Sequence, residues 1–236
     1  MNQYERLRAI GQQIRDTHDG PFRVLDMGAG DGSVEYSPFF AELATEYVGV
    51  DPDHDIRDNQ WLDVRFEESA DEFATRYAAE IAAVTAEPFD LATAIYVWEH
   101  LKDPAGFLRA AHSVLRHGAT MLCITPNGLH PFGLGSKVLA KLDLTDTVLR
   151  KLRPDDIDHY HFPVVATRNT PKGVQDCAIE AGFSDAEVIL HDEPGVFVPY
   201  LPSQLQSVPK AYSRAIAATK LDVCLLYTSP SPRDRG

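Results

Sequence analysis

Three glycines at alternate positions, Gly28, Gly30 and Gly32, close the run VLDMGAGDG (residues 24–32). Such a run lets the backbone turn tightly behind a strand and lets a ligand approach without meeting a Cβ. Glycine-rich turns of this kind also bind dinucleotides, and an acid at the end of a second strand, here Asp51, suits a ribose in either case. The charges around the turn decide between the two. Asp26 stands two residues before Gly28, and Asp31 lies inside the turn. A pyrophosphate placed there would face two carboxylates and be repelled, whereas a cationic ligand would be drawn in. Ser33 stands where the dinucleotide pattern wants another glycine, which weakens that alternative further.

Further along, Glu99 and His100 follow an apolar run, and His100 is a candidate general base for a hydroxyl acceptor. His159 and His161 alternate in DHYHF, which puts them on one face of an extended segment; they are candidates for reaching an acceptor. Ligation of a metal by these two with Asp155, Asp156 or Asp158 lacks a third ligand at diagnostic spacing, and no metal is assigned. His130 is a further pocket candidate.

The elements that must carry these residues alternate. An amphipathic helix over 2–17 (Leu7, Ile10, Ile14) precedes a strand at 22–27, a helix at 39–44 and a strand at 46–50. A weak strand at 63–66, a helix at 70–84 and a strand at 89–95 follow. Pro104 opens a helix to Leu115 that Gly118 stops before the strand 120–125. The pattern predicts an α/β fold, a doubly wound and mostly parallel Rossmann-like sheet with helices on both faces. Alternation then lapses over 129–168, read as an insertion or lid with a helix at 136–152. It resumes with a helix at 171–181 and a strand at 187–191, and a last helix is expected at 203–219.

In this setting VLDMGAGDG, VGVDP and FDLATAIYVWEHLKDPAGFLRAAHSVLRHGATMLCITPN resemble the core of class I S-adenosylmethionine-dependent methyltransferases, in the small-molecule, ubiquinone-biosynthesis-like branch. The cofactor implied carries an ammonium and a sulfonium and no phosphate, in agreement with the charge argument. The resemblance implies that Asp26 and the turn Gly28, Ala29, Gly30 and Gly32 hold its methionine moiety. It implies that Asp51, followed by Pro52, binds the ribose hydroxyls and that Ala70 and Asp71 meet the adenine; Tyr96, beside the Glu99–His100 pair, is a candidate for the pocket lining. The family commonly has an acid where this chain has Ser69. The function implied is methyl transfer to a small molecule or glycan, as O-methylation. The alternatives are a nicotinamide-dependent oxidoreductase and a non-catalytic partner protein that keeps the cofactor fold.

Composition sets the outer bounds. The 236 residues, 44% hydrophobic, suffice for one core, read as a single domain over 1–223 with the cofactor-binding core at 22–127. A net charge of -13 disfavours a grip on nucleic-acid phosphates or an anionic membrane. Cys123, Cys177 and Cys224 show no metal-ligand pairing, and a reduced, cytoplasmic setting is expected. The stretch CLLYTSPSPRD (224–234) resembles a translated sequencing adapter, so 224–236 is read as an artefactual tail. The final antiparallel strand of the family's sheet is then expected to be missing, or replaced by the apolar run 223–227.

Overall fold

The structure, a computed structural model, describes residues 3–128, 165, 167–191 and 225–231. In chain order these give α1 (Gln3–Asp16), β1 (Arg23–Met27), α2 (Ser37–Leu43), β2 (Glu46–Asp51), β3 (Val64–Glu67), α3 (Ala70–Ala82) and β4 (Phe89–Ile95). They continue with α4 (Pro104–Val114), β5 (Leu115–Thr125), α5 (Pro171–Glu180), β6 (Asp185–His191) and β7 (Leu225–Ser231). The helices expected at 136–152 and 203–219 lie outside the described residues, as does nearly all of the insertion.

The strands form one sheet in the order β3-β2-β1-β4-β5-β7-β6, as the sequence predicts for a doubly wound fold. The pairs β1–β2, β2–β3, β1–β4 and β4–β5 are parallel, and β7 runs antiparallel to both β5 and β6. β4 is buried along its whole length, as a parallel strand covered on both faces must be. One face carries α1 and α2 on a core that includes Leu7, Phe40, Tyr47 and Ile124; the other carries α3, α4 and α5 on Phe73, Leu108, Val114 and Val174.

Helix starts follow local chemistry. Ser69 caps α3 in a capping box with Glu72, Asp103 accepts from Gly106 N at 2.9 Å before Pro104, and Thr170 accepts from Gly173 N at 3.1 Å before Pro171. One boundary differs from expectation. α4 passes directly into β5, because Leu115 already pairs with Phe89; the next pair is Leu91 with Thr120, so the residues around Gly118 bulge from the ladder.

The sheet's order reverses between β1 and β4, which opens a crevice beyond their carboxyl ends. α1 runs antiparallel to these strands. His18, just past its end, lies 3.8 Å from Asp90 at the start of β4, while Gln3 at its beginning donates to Tyr96 just after β4 at 2.6 Å.

Of the two expectations for the last strand, the structure shows replacement: residues 225–231, which overlap the apolar run 223–227 and fall in the stretch read as a tail, supply β7 between β5 and β6. Pro230, which cannot donate to a ladder, pairs with Ala186 beyond the stretch bonded to β5, which ends at Thr228. Truncation after Val223 leaves facing edges of β5 and β6 unpaired. The expected outcome is loss of a cooperative melting transition, read by circular dichroism against the full chain.

Candidate functional site

The glycine turn hangs from the end of β1 by backbone bonds to β2: Gly28 N donates to Val50 O at 2.7 Å, and Ala29 N to the same oxygen at 3.3 Å. Gly28, Gly30 and Gly32 all take positive φ, at 90°, 50° and 75°. The reasons for glycine differ along the turn. A Cβ on Gly28 would lie 2.3 Å from Cγ2 of Val97, and one on Gly32 would lie 2.3 Å from Oδ1 of Asn59. A Cβ on Gly30 would meet no protein atom within 4 Å, so its face of the turn is open to a ligand.

Asp51 ends β2 at 7% exposure. Its Oδ2 accepts from Gly30 N at 3.0 Å and its Oδ1 from Asp53 N at 2.8 Å. Burial raises its pKa and those two backbone donors hold it back. Each carboxylate oxygen keeps a second lone-pair direction for a hydroxyl.

Asp26 is fully buried beneath the turn. Tyr47 donates to its Oδ2 at 2.7 Å and Thr93, its neighbour in register on β4, to its Oδ1 at 2.8 Å. Burial pushes its carboxyl up to about 6 against these two hydrogen bonds. Among the described residues no lysine or arginine forms a salt bridge with Asp26 or Asp51, so two buried carboxyl groups lie close together without a counter-cation. Asp31 is exposed and accepts from Ser33 N at 2.9 Å.

Sequence reasoning missed the residues that brace the turn. Asn59, fully buried, donates through Nδ2 to the carbonyls of Ala29 and Gly30 at 3.1 and 3.2 Å, and Trp61 Nε1 donates to Gly32 O at 3.1 Å. Tyr36 is buried among Tyr4, Tyr96, Asp26 and Asp51; burial first, then these neighbours, raise its pKa well above the usual phenol range.

The other expected residues fall in graded positions. Tyr96 leaves β4 in left-handed backbone, φ 58°, with its N–H on Ile124 O at 2.8 Å, which puts it at the crevice. Pro52 is exposed, and Ala70 and Asp71 open α3, with Asp71 exposed. Ser69 owes its identity to the α3 cap. His100 is half-buried in a short 3-10 turn, Trp98–His100, rather than at the start of α4. His130, His159 and His161 lie outside the described residues.

Glu99 is 7% exposed and accepts from Thr125 Oγ1 at 3.0 Å, and that hydroxyl accepts in turn from Asn169 Nδ2 at 3.1 Å. Burial pushes its carboxyl up to about 7 from an ordinary value near 4.5. Between those values the folded chain binds more protons than the unfolded chain. This contribution to stability is therefore complete below about 4.5 and is lost as the pH rises through about 7. Glu99→Gln keeps an acceptor for Thr125 and removes the titration. Relative to the unsubstituted chain it should gain stability between pH 5 and 8, on the order of 3 kcal/mol, in urea unfolding; a difference independent of pH would contradict the assignment.

The fold and the turn together define a Rossmann-like protein with an open glycine turn and two buried acids at its switch point. Comparison with known proteins agrees with that class. The model of the methyltransferase-domain family matches residues 2–172, and the chain belongs to that family. Curated relatives include the ubiquinone biosynthesis O-methyltransferase of Ruegeria pomeroyi, 35% identical over 132 residues, which are 52% of this chain and 52% of that protein. The enzyme of the same name from Aromatoleum aromaticum is 29% identical over 151 residues, 58% of this chain and 61% of that one. The chain spans about half the length of the curated relatives it matches.

Among solved structures, a SAM-dependent methyltransferase from Archaeoglobus fulgidus superposes with a TM-score of 0.55 at 16% identity, covering 98% of this chain and 95% of that one. The plantazolicin methyltransferase BpumL in complex with SAH gives 0.53 at 14% identity, covering 98% and 85%. These likenesses establish the shared fold. The comparisons give no support to the nicotinamide alternative.

S-adenosylmethionine is the cofactor of this class, and the residues fit it. The open face at Gly30 admits a ligand, Asp51 has lone pairs for hydroxyls, and the two acids suit its ammonium and sulfonium. No helix among the described residues is long and apolar enough to cross a membrane.

Proposed function

We propose that the chain transfers a methyl group from S-adenosylmethionine to an oxygen of a small molecule or glycan. The observation that carries this reading is the pair of buried carboxyl groups, Asp26 and Asp51, that flank the glycine turn without a counter-cation among the described residues. The O-methyltransferases among the curated relatives support oxygen as the atom methylated.

Asp51 binds the ribose hydroxyls and fixes Gly30 at the same time. Asp26, enclosed by Tyr47 and Thr93, acts on the ligand's positive charge through its field rather than by open contact. The donor, when bound, supplies a methyl group already activated on a sulfonium, so the chain's own task is to align the acceptor and exclude water. With donor and acceptor in place, a ring nitrogen of His100 would take the acceptor hydroxyl's proton. Its place in the turn after β4 puts it at the same edge as the cofactor site.

Because the donor is so activated, the base contributes modestly. His100→Ala should lower transfer of labelled methyl to a panel of hydroxylated small molecules about thirtyfold, within the lower range for general bases, while leaving affinity for S-adenosylhomocysteine unchanged. Unchanged turnover would remove His100 from the mechanism. A panel methylated on nitrogen or carbon but never on oxygen would overturn the acceptor class.

A further inference from the structure

Gln3 opens α1 at the edge of the sheet that carries the site. It is 3% exposed, and its Nε2 donates to the Tyr96 hydroxyl at 2.6 Å. Its Oε1 is buried and has no hydrogen-bond partner among the described residues. A carbonyl oxygen buried without a donor is costly in the unliganded fold, so a donor brought by a ligand is its natural complement.

Its surroundings say which donor. Tyr4, the next residue, stacks on Tyr36 with ring centroids 6.5 Å apart, and Tyr36 lies within the fields of Asp26 and Asp51 as well as beside Tyr96. The first turn of α1 is therefore joined to the two carboxyl groups of the glycine turn through the Tyr36 ring that both adjoin. A group that donates hydrogen bonds and is attracted by both acids is an ammonium.

We propose that Gln3 is a cofactor-binding residue whose Oε1 accepts a hydrogen bond from the α-ammonium of the methionine moiety. This makes α1 part of the binding site rather than only a covering for the sheet, and it rests on the reading of the glycine turn as the cofactor site. The bond of Gln3 Nε2 to Tyr96 sets the orientation of the amide and leaves Oε1 as the free pole.

The test titrates S-adenosylhomocysteine, and an analogue in which hydrogen replaces its α-amino group, into the full chain and into Gln3→Met and Gln3→Glu. Gln3→Met should weaken S-adenosylhomocysteine about tenfold and leave the analogue's affinity unchanged, without a fall in melting temperature. Gln3→Glu, which keeps an acceptor of the same shape, should bind S-adenosylhomocysteine at least as tightly as the unsubstituted chain. Equal weakening of both ligands by Gln3→Met would overturn the proposal in favour of packing. Abolition of binding by Gln3→Glu would overturn it in favour of an amide donating to the ligand's carboxylate. Should Gln3→Met not fold, the Gln3→Glu comparison decides alone. Absence of binding by the unsubstituted chain would instead remove the cofactor site itself, a result in which Gln3 plays no part.

Discussion

Gly28→Ala should abolish binding of S-adenosylhomocysteine and lower the melting temperature by roughly 4–20 °C. Two costs combine. At φ 90° an L side chain is strained, on the order of 1–2 kcal/mol, and the new methyl would lie 2.3 Å from Cγ2 of Val97. Val97 has a short β-branched side chain that cannot swing aside, and it follows Tyr96, itself in left-handed backbone. Moving it shifts the chain at the crevice, and overpacking of this kind costs about 1–3 kcal/mol more.

The comparison with Gly30→Ala makes the prediction specific. That Cβ meets nothing within 4 Å and φ 50° lies in the ordinary left-handed region, so stability should fall by only about 1 kcal/mol. Affinity should still drop, because the methyl enters the space a ligand would use. Calorimetric titration beside thermal melts of both variants checks the pair; a Gly28→Ala protein that binds normally would contradict the geometry.

Asp51→Ala should weaken S-adenosylhomocysteine about a thousandfold. The substitution removes the acceptors for the ribose and, with them, the bonds that fix Gly30 N and Asp53 N. Two hydrogen bonds to a charged acceptor, at about 1.5–3 kcal/mol each, account for that factor. An analogue without ribose hydroxyls should lose far less between the two proteins, since it never made those bonds. Equal losses for both ligands would show that Asp51 acts only by shaping the turn.

The legible parts of the molecule are those where local chemistry and position coincide. β1, β2 and β4 read directly as strands because parallel strands buried on both faces are continuous apolar runs, and the glycines marked the turn because the backbone there takes positive φ. Asp51 was legible because a carboxylate that ends a second strand lands beside the turn that ends the first.

The hidden parts depend on how distant segments meet. Asn59 and Trp61 sit in a stretch without periodicity, and only the return of that loop onto Ala29, Gly30 and Gly32 gives them a role. Tyr47 and Thr93 look like ordinary strand residues, yet their hydroxyls enclose Asp26. Gln3 was invisible because the amphipathic pattern of α1 specifies its buried face but not which edge of the sheet its first turn reaches. β7 was only half legible: the run 223–227 was a candidate for the last strand, but LLYTSPS carries a proline and little alternation, and the gap between β5 and β6 is what extends it to Ser231.

The central claim is that the turn between Asp26 and Asp51 takes a cationic adenosine ligand. Its most direct test is isothermal titration of the full chain with S-adenosylhomocysteine and, separately, with NAD. Saturable binding of S-adenosylhomocysteine, lost in Asp51→Ala, with no heat from NAD is the predicted result. Saturable binding of NAD with none of S-adenosylhomocysteine would contradict the charge argument at its root.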